Sequence, residues 1–418
     1  MNHRPRLLAL ANYYYPENAS VANLYTELCE SLTDEYDVTA VCEVPCYTGT
    51  LPPEYKNCPR ITRMEKDGVQ VWQVRVKEFC KEQKMTRVKH VLSYFFNALH
   101  AINKVGRQDL VLAVSQPPVL GGLLGLWAKW RTGAKLIYNI QDFNPEQIEV
   151  VNYSGNQAVI KILRILDNFV CRRSDAVVVV SGDMQKTLHS RLNEKKVPYN
   201  VSISNWVDVD KVRPLAKEEN PLYEKYGLSR KPFQVVYAGN IGLMQNLQTV
   251  LDAAEQLKAE QDIQFILIGN GAWKEEMLGQ IERRGLANIS TFPLEPLQNV
   301  PYVYAMGDVG VVSIAPGVTT CSMPSKTWNI LAAGRPVVCQ VDEGSELQHL
   351  LEDNGLGLCS APGDGKAMAE NILRLREAKS NPCRDFACRS CSRTVAVQQY
   401  RTLLHQLHPV QHQTAEAH

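Results

Sequence analysis

The 418-residue chain is longer than one hydrophobic core usually supports, so its length predicts two domains of roughly 200 residues each. Its hydrophobic fraction of 45% and its charged fraction of 21% are those of an ordinary soluble globular protein. A formal net charge of +1 gives no overall field that would attract nucleic acid, so nucleic acid is not an expected partner.

The apolar segments are too short for targeting or membrane insertion. The N-terminal stretch runs for about five residues before Asn12, and a signal peptide needs a longer apolar region. The segment Val119–Trp130 is interrupted by glycines and falls short of the ~20 residues of a membrane-spanning helix. The 12 cysteines are scattered along the chain, which favours reduced thiols and a cytoplasmic protein.

The first half of the chain alternates short apolar runs with helical stretches. Near-continuous apolar runs are typical of strands that are buried on both faces of a parallel sheet. The predicted strands are Leu7–Ala11, Val38–Cys42, Val69–Val74, Leu110–Val114, Leu136–Ile140, Ala176–Val180 and Val201–Ser204. One intervening stretch, from Val88 to Ile102, has apolar residues at helical spacing, so the pattern predicts a βαβ architecture.

A polar segment with two prolines, Val212–Pro221, predicts a connection between domains. After it the same alternation restarts. The predicted strands are Gln234–Ala238, Phe265–Gly269, Ile289–Phe292, Val309–Ile314, Pro336–Gln340 and Leu356–Cys359. We therefore expect an N-terminal domain over residues 1–210, a C-terminal domain over 211–383, a final helix over 384–410 and a disordered polar tail over 411–418.

Two glycine turns follow predicted strands of the second domain. The sequence Gly239-Asn240-Ile-Gly242 runs from a strand into a helix, where glycines allow the backbone to approach a phosphate. The sequence Gly269-Asn270-Gly271 has the same position after the next strand. Both sequences are also compatible with tight turns that bind no ligand.

The most distinctive block runs from Thr319 to Val338. Pro324 and Ser325 predict the start of a helix that Gly334 ends, and Ser325 is expected to cap it. Lys326 falls in the first turn, where a positive charge opposes the helix dipole unless an anion lies nearby. A diphosphate would supply that anion, and a surface lysine that points away is the alternative.

Carboxylates also follow a strand of the first domain. Asp142 and Glu146 lie at the carboxyl end of the strand Leu136–Ile140, which places them at the cleft expected between two such domains. They are predicted to bind sugar hydroxyls or orient a reacting group, or else to cap the next helix. The pair Asp208 and Asp210 is interpreted as a hinge turn, and the histidines lack metal-ligand spacing, so no metal site is expected.

The order of these motifs resembles the retaining glycosyltransferases of family 4, which have the GT-B fold, and among them the variety that assembles bacterial surface polysaccharides. The resemblance extends from about residue 6 to about residue 404. It rests on Tyr14–Glu17, Asp142, Pro145, Glu146, Val180–Met184, Ser204–Asp208, Gly239–Gly242, Gly269–Gly271 and Pro324–Val337. The Asn205–Asp208 and Pro324–Val337 segments are specific, whereas the glycine turns are not.

The resemblance implies an α/β protein of two Rossmann-like, doubly wound parallel-sheet domains that face each other across a cleft, with the final helix returning to the N-terminal domain. It implies catalytic roles for Asp142 and Glu146, which would face the acceptor and the sugar, and for Lys326 near the phosphates or the ribose. The implied donor-binding residues are Gly239, Asn240, Gly242, Gly269, Asn270, Gly271, Ser325, Lys326 and Asn329. The implied acceptor-side residues are Tyr15, Glu17 and Ser20.

Three features depart from the family pattern. The family usually has two glutamates eight positions apart, and here those positions hold Cys321 and Asn329. The arginine and lysine that many members have after the glycine turn are absent from Leu243–Asn246. The N-terminal loop has Asn18-Ala19-Ser20 where the family has glycines. These departures bear on the contacts with the donor sugar.

The predicted function is transfer of a hexose or N-acetylhexosamine from a UDP-sugar to a lipid-linked glycan, with retention at the anomeric carbon. Neither a cofactor nor a divalent metal is expected, because helix amides and Lys326 would stabilise the departing diphosphate. A nucleotide-sugar epimerase is one alternative. The other is a catalytically silent domain that binds a nucleotide sugar or a partner enzyme, which the missing glutamates favour.

A basic segment predicts peripheral contact with the inner face of the cell membrane. Residues 60–89 carry nine basic and four acidic side chains, interleaved with Trp72, Phe79 and Met85 and followed by Tyr94–Phe96. A solvated charged surface is the alternative interpretation. The lysines expected to bind anionic lipid are Lys77, Lys81, Lys84 and Lys89.

Overall fold

The computed structural model describes residues 4–17, 19–80, 83–150, 157–194, 196–378 and 381–409. The described residues form two α/β domains, each built around one sheet. The strands of the N-terminal domain are β1 (Arg6–Leu10), β2 (Asp37–Glu43), β3 (Ile61–Lys66), β4 (Val69–Val74), β5 (Leu110–Val114), β6 (Lys135–Ile140), β7 (Ala176–Val179) and β8 (Tyr199–Ser202). Their order in the sheet is β3-β4-β2-β1-β5-β6-β7-β8.

Helices cover both faces of this sheet, which explains why its central strands are apolar throughout. They are α1 (Ser20–Ser31), α2 (Lys84–Ile102), α3 (Leu120–Thr132), α4 (Asn144–Val150), α5 (Gln157–Arg173) and α6 (Gly182–Arg191). On one face, Leu28 of α1 packs with Leu7 and Leu112 of the sheet. On the opposite face α2, α3 and α5 lie side by side, and α3 contacts both of its neighbours.

The C-terminal domain has a fully parallel sheet of six strands in the order β11-β10-β9-β12-β13-β14. Its strands are β9 (Phe233–Asn240), β10 (Ile263–Asn270), β11 (Ile289–Phe292), β12 (Val309–Ser313), β13 (Val337–Gln340) and β14 (Gly357–Ser360). Its helices are α7 (Pro221–Tyr226), α8 (Gln248–Gln256), α9 (Lys274–Arg283), α10 (Val300–Met306), α11 (Lys326–Ala332), α12 (Glu346–Asp353), α13 (Gly365–Arg376) and α14 (Cys383–Ser390).

The last helix, α15 (Arg393–Leu407), returns to the N-terminal domain. Its buried residues Tyr400 and Leu403 join the same core as Leu7 of β1. The Tyr400 hydroxyl is hydrogen-bonded to the Asn139 side chain, and Arg401 pairs with Asp34 at 2.8 Å. The predicted crossing of the final helix back to the first domain is therefore confirmed.

Two local predictions are corrected. Every predicted strand is present, but β3 is an additional edge strand, and it runs antiparallel to β4 in a sheet otherwise parallel. The single helix predicted over 384–410 is divided into α14 and α15, because the Val207 amide donates to the Cys391 carbonyl at 3.0 Å and Val207 pairs with Ser392. α14 packs within the C-terminal domain. The predicted tail, 411–418, lies outside the described residues.

None of the helices in the described ranges combines the length and the apolar composition that spanning a bilayer requires. The predicted arrangement of two parallel-sheet α/β domains that face each other is confirmed, with the antiparallel edge strand as its one exception.

Candidate active site

A cleft of about 1240 Å³ lies between the two domains. Its N-terminal wall includes Ser20 at the start of α1 and Asp142, which follows β6. Its C-terminal wall includes Gly239 near the end of β9 and Lys326 at the start of α11. Both walls are thus built where strands end and helices begin, which is where open α/β sheets bind ligands.

The Lys326 amine is the most unusual group in the cleft. Its Nζ is buried, and no described residue forms a hydrogen bond with it. It lies 4.0 Å from the centroid of the Tyr237 ring, so the aromatic face is its main electrostatic partner. Burial lowers the pKa of Lys326 to about 7, because desolvation penalises the charged form. Lys326 is therefore a buried amine whose charged form is disfavoured and which has no counter-anion among the described residues.

The backbone at Gly239 is open to the cleft beside this amine. Gly239 has a φ of +134°, a conformation that favours glycine. A Cβ atom at Gly239 would lie 3.3 Å from Lys326 Nζ. Glycine at this position thus allows the turn and leaves space next to the amine.

Asp142 connects the two walls of the cleft. Its carboxylate accepts a hydrogen bond from Gln147 Nε2 at 2.7 Å and faces Ser322 of the opposite domain. Burial raises the pKa of Asp142, and the interactions with Ser322 and Gln147 oppose the rise. The neighbouring Phe143 amide donates to the Cys321 carbonyl across the cleft at 2.9 Å.

A chain of polar side chains forms the floor of the cleft in the N-terminal domain. Asn205 Nδ2 donates to Gln141 Oε1 at 2.8 Å, and Gln141 Nε2 donates to Asn139 Oδ1 at 2.7 Å. Asn139 in turn is bonded to Tyr400 of α15. The last helix therefore supports two side chains, Gln141 and Asn205, that line the cleft.

Two family models match the chain, one for each domain. The model described as "Glycosyl transferase 4-like domain" matches residues 21–201, and the model described as "Glycosyl transferases group 1" matches residues 232–378. The chain belongs to the group 1, family 4-like glycosyltransferases. The resemblance that the sequence motifs indicated is thereby confirmed.

Two curated relatives are about a quarter identical to this glycosyltransferase over the regions that align. The "putative colanic acid biosynthesis glycosyl transferase WcaI" of Escherichia coli K12 is 24% identical over 94% of this chain and 98% of that protein. The "probable glycosyltransferase WbjE" of Pseudomonas aeruginosa is 25% identical over 69% of this chain and 71% of that protein.

Solved structures share the GT-B fold of this glycosyltransferase. Sucrose-phosphate synthase of Thermosynechococcus elongatus superposes with a TM-score of 0.71 at 16% identity, over 96% of this chain and 99% of that chain. HepE of Anabaena in complex with UDP-glucose superposes with a TM-score of 0.68 at 15% identity, over the same shares of the two chains. The predicted GT-B fold is confirmed.

The glycosyltransferase brings seven of its predicted site residues to the cleft. Those residues are Ser20, Asp142, Gly239, Asn240, Ser325, Lys326 and Asn329. The expectation that Ser325 caps its helix through the side chain is wrong, because no side-chain hydrogen bond closes that helix start. Ser325 adopts helical dihedral angles, so its hydroxyl is not directed at the amides of the first turn.

The second glycine turn supports the first one and does not line the cleft. A Cβ atom at Gly269 would lie 2.1 Å from the Gly239 carbonyl oxygen, and one at Gly271 would lie 2.3 Å from that of Ile241. The Asn270 side chain accepts a hydrogen bond from the Gly271 amide at 3.0 Å. Gly242 also lies outside the cleft lining, where its amide donates to Gln245 Oε1 at 3.2 Å. These residues shape the turn around Gly239.

Glu146 was expected at the cleft but is not among its lining residues, and its catalytic role stays a prediction. Its carboxylate pairs with Arg164 at 2.9 Å and with Arg191 at 3.6 Å. Both arginines belong to helices of the same domain, α5 and α6. The carboxylate therefore takes part in an ion-pair network beside the cleft.

Two of the predicted acceptor-side residues lie in the loop that precedes α1, outside the cleft lining. The Glu17 carboxylate accepts hydrogen bonds from the amides of Cys46 and Tyr47, both at 2.8 Å. The exposed Tyr15 ring lies 5.2 Å from the Lys66 amine. Glu17 thus organises the loop after β2, while Ser20 is the member of this group that reaches the cleft.

The two positions where the family usually has glutamates differ in their surroundings. Cys321 is completely buried, and its thiol contacts the Val318 carbonyl at 3.2 Å. Asn329 lines the cleft one helical turn after Lys326. The Asn329 side chain can therefore contact a ligand in the cleft, whereas the buried Cys321 side chain cannot.

Sequence reasoning missed several polar residues of the cleft. Asn205 lies within the Ser204–Asp208 motif and Gln141 directly before Asp142, but neither had an assigned role. Glu27 also lines the cleft, and it accepts a hydrogen bond from Trp206 Nε1 at 2.8 Å. The position of Gln141 beside Asp142 was the available signal, whereas Glu27 is one of several carboxylates on a helix and carries no sequence signal.

Proposed function

We propose that this glycosyltransferase moves a hexose or N-acetylhexosamine from a UDP-sugar to a lipid-linked glycan acceptor, with retention at the anomeric carbon, in bacterial surface polysaccharide assembly. The name of WcaI, which specifies colanic acid biosynthesis, supports the polysaccharide pathway. The complex of HepE with UDP-glucose supports a uridine diphosphate donor.

The observation that carries the proposal is the buried Lys326 amine beside Gly239. A cation without a hydrogen-bond partner is costly in a protein interior, and a diphosphate at the cleft would compensate that cost. The open backbone of Gly239 leaves room for a phosphate next to the amine. We therefore assign the donor diphosphate to the space between Gly239 and Lys326.

The chemical step follows from this placement. The oxygen of an acceptor hydroxyl forms a bond to C1 of the donor sugar, the bond from C1 to the β-phosphate oxygen breaks, and the hydroxyl proton leaves with UDP. Lys326 stabilises the negative charge that develops on the departing phosphate. Asp142, on the opposite wall, orients the acceptor or the sugar by accepting hydrogen bonds. In this scheme Lys326 and backbone amides supply the required positive charge, so no divalent metal is invoked.

Isothermal titration calorimetry with UDP and with uridine tests the donor site. Lys326→Ala should weaken binding of UDP by roughly ten- to a hundredfold, because a charge-assisted hydrogen bond contributes about 1.5–3 kcal/mol. Binding of uridine should change little. The matched control is Lys274→Ala, which removes another partly buried lysine of the same domain whose amine bonds the Gly269 carbonyl at 3.1 Å outside the cleft lining. Equal losses for UDP and uridine would refute the assignment.

A catalytically silent nucleotide-sugar-binding domain is the second candidate, and burial of Cys321 at a usual glutamate position favours it. Incubation of the purified protein with a panel of UDP-sugars and acceptor glycolipids, followed by mass spectrometry, separates the two. Sustained transfer or donor hydrolysis would eliminate the silent domain. Binding of UDP without any turnover would eliminate the enzyme.

A further inference from the structure

Two helices of the N-terminal domain present apolar side chains to solvent. On α5, Val159, Ile162, Ile165, Leu166 and Phe169 are exposed, with Ile162 at 56% and Ile165 at 57%. Their spacing of three to four residues places them on one side of the helix. The buried residues of the same helix are Ile160, Asp167, Val170 and Cys171, on its other side. The outer side of α5 is therefore apolar where a surface helix is ordinarily polar.

The neighbouring helix α2 shows the same arrangement. Met85, Val88, Leu92 and Phe96 are exposed at helical spacing, with Met85 at 66% and Phe96 at 58%. Between the two helices, α3 adds Trp130, which is 74% exposed. Ten large exposed apolar side chains thus lie on three adjacent helices, and no described residue covers them. We call this surface, formed by α2, α3 and α5, the three-helix face.

The charged side chains of the three-helix face are almost all positive. The helices carry lysine or arginine at three positions on α2, two on α3 and four on α5. Their one carboxylate is Asp167, which is buried and paired with Arg191 at 2.8 Å. Two of the basic residues have partners within the described chain, Arg164 with Glu146 and Lys129 with Asp175. The remaining basic residues, which form no ion pair among the described residues, are Lys84, Arg87, Lys89, Arg131, Lys161, Arg172 and Arg173.

We propose that the three-helix face binds the surface of an anionic phospholipid bilayer, with the apolar side chains at the level of the headgroups and the basic side chains on lipid phosphates. The combination of an apolar stripe with flanking lysine and arginine is that of interfacial helices. The absence of exposed carboxylates among these helices complements a negatively charged lipid surface. This inference concerns a surface separate from the donor site and stands independently of the donor chemistry.

The three-helix face is not the surface that the basic segment 60–89 alone predicts. Tyr94 is 1% exposed, and Trp72 is covered by the Arg63 guanidinium at 3.8 Å, so neither is available to lipid. Lys84 and Lys89 of that segment do belong to the three-helix face, while Lys81 lies outside the described residues. The sequence prediction of membrane contact thus stays a prediction, with α5 as its added element.

The placement suits an acceptor that is held in a membrane. In a βαβ unit each helix runs antiparallel to its strands, so it begins at the carboxyl edge of the sheet. The amino-terminal ends of α2 and α3 therefore lie toward the edge on which the cleft opens. A bilayer bound along this face would hold a lipid-linked glycan near the cleft mouth.

Co-sedimentation with vesicles tests the proposal on the full chain. The vesicles contain either phosphatidylcholine alone or phosphatidylcholine with phosphatidylglycerol, at low and at high salt. The wild-type protein should bind the anionic vesicles at low salt, and high salt should weaken this binding. Lys161→Gln with Arg172→Gln and Arg173→Gln should weaken it on the order of a hundredfold, at about fivefold for each charge removed. Ile162→Gln with Ile165→Gln should weaken it at least about tenfold.

Matched controls come from the exposed surface of the C-terminal domain. Lys231→Gln with Arg283→Gln and Lys366→Gln removes the same number of charges, and Leu278→Gln with Leu294→Gln removes two exposed apolar side chains. Both controls should bind vesicles as the wild type does. Thermal unfolding and UDP titration of every variant show whether the fold and the donor site are intact.

Three outcomes would overturn the proposal: no binding to anionic vesicles at low salt, equal binding by the α5 variants and the controls, or a stable dimer that the Ile162 and Ile165 changes dissociate. The last result would assign the face to a second copy of the chain. Failure of the donor proposal appears separately, as loss of UDP binding with vesicle binding intact.

Discussion

Binding of a UDP-sugar should draw a proton onto Lys326. In the empty cleft burial holds the pKa of this amine at about 7, so at about pH 8 roughly a tenth of the molecules carry the proton. A diphosphate beside the amine favours the charged form and restores a pKa near its usual value of about 10. The bound amine is then almost fully protonated. The expected uptake is about 0.9 proton per ligand at pH 8, and it falls toward zero below about pH 6.

Calorimetry in buffers that differ in ionisation enthalpy measures this uptake directly. The slope of the observed binding enthalpy against the buffer enthalpy equals the number of protons exchanged. UDP-glucose is the suitable probe because its diphosphate diester does not titrate between about pH 6 and 9. Lys326→Met should abolish the slope, whereas Lys274→Met should preserve it. Because a proton is taken up on binding, the affinity for UDP-glucose should also decline by up to about tenfold for each pH unit above pH 7.

If the wild-type protein binds UDP-glucose at pH 8 but the slope is near zero, the predicted proton uptake by Lys326 is refuted. It would show that the amine is already protonated in the empty cleft or that the diphosphate binds elsewhere. The same slope in wild type and Lys326→Met would show that a different group takes up the proton.

Two further predictions concern the same cleft. Lys326→Met should stabilise the empty protein by a few kcal/mol at about pH 7, because the pKa of the lysine is lower in the folded state than in the unfolded state. Thermal unfolding at pH 7 and pH 10 should show that this gain in stability shrinks as the pH rises. An unchanged melting temperature at pH 7 would contradict the prediction. Asp142→Asn should lower turnover at least about tenfold while the affinity for UDP stays nearly constant, because the carboxylate lies on the wall of the cleft opposite Lys326. If the steady-state rate and the calorimetric affinity for UDP fell in parallel, Asp142 would be assigned to donor binding instead.

The central strands of both sheets could be predicted because each one is recognisable from the residues of its own segment. Runs such as Leu110–Val114 are apolar at every position, which is specific for strands covered on both faces. The missed strand β3 has the sequence Ile-Thr-Arg-Met-Glu-Lys, and as an edge strand its side chains alternate between partial burial and exposure. Such a strand is defined by its pairing with β4, which composition does not encode.

The candidate site was predictable in part, for a related reason. The position of a residue after a strand or at a helix start follows from local sequence, and this placed Gly239, Lys326 and Asp142 correctly at the cleft. What a carboxylate pairs with depends on residues that are distant in the chain. Glu146 follows the same strand as Asp142, yet it pairs with Arg164 and Arg191, which reach it from two other helices.

The outward apolar side of α5 illustrates a further limit. Helical spacing of apolar residues predicts that one side of a helix is buried, but it does not state against what. In α5 the side facing the sheet includes the buried Asp167, while Ile162 and Ile165 face outward. Distinguishing a core-facing from a solvent-facing stripe required the position of the helix on the sheet.

The return of α15 to the first domain has a consequence for biosynthesis. Tyr400, Leu403 and Leu404 share one core with Leu7, which lies near the opposite end of the described residues. On the ribosome the N-terminal domain therefore emerges first but with part of its hydrophobic core uncovered. That core is completed only when residues 393–407 have left the exit tunnel, by which time the C-terminal domain has already been synthesised. Completion of the core of the first domain therefore has to follow synthesis of the C-terminal domain.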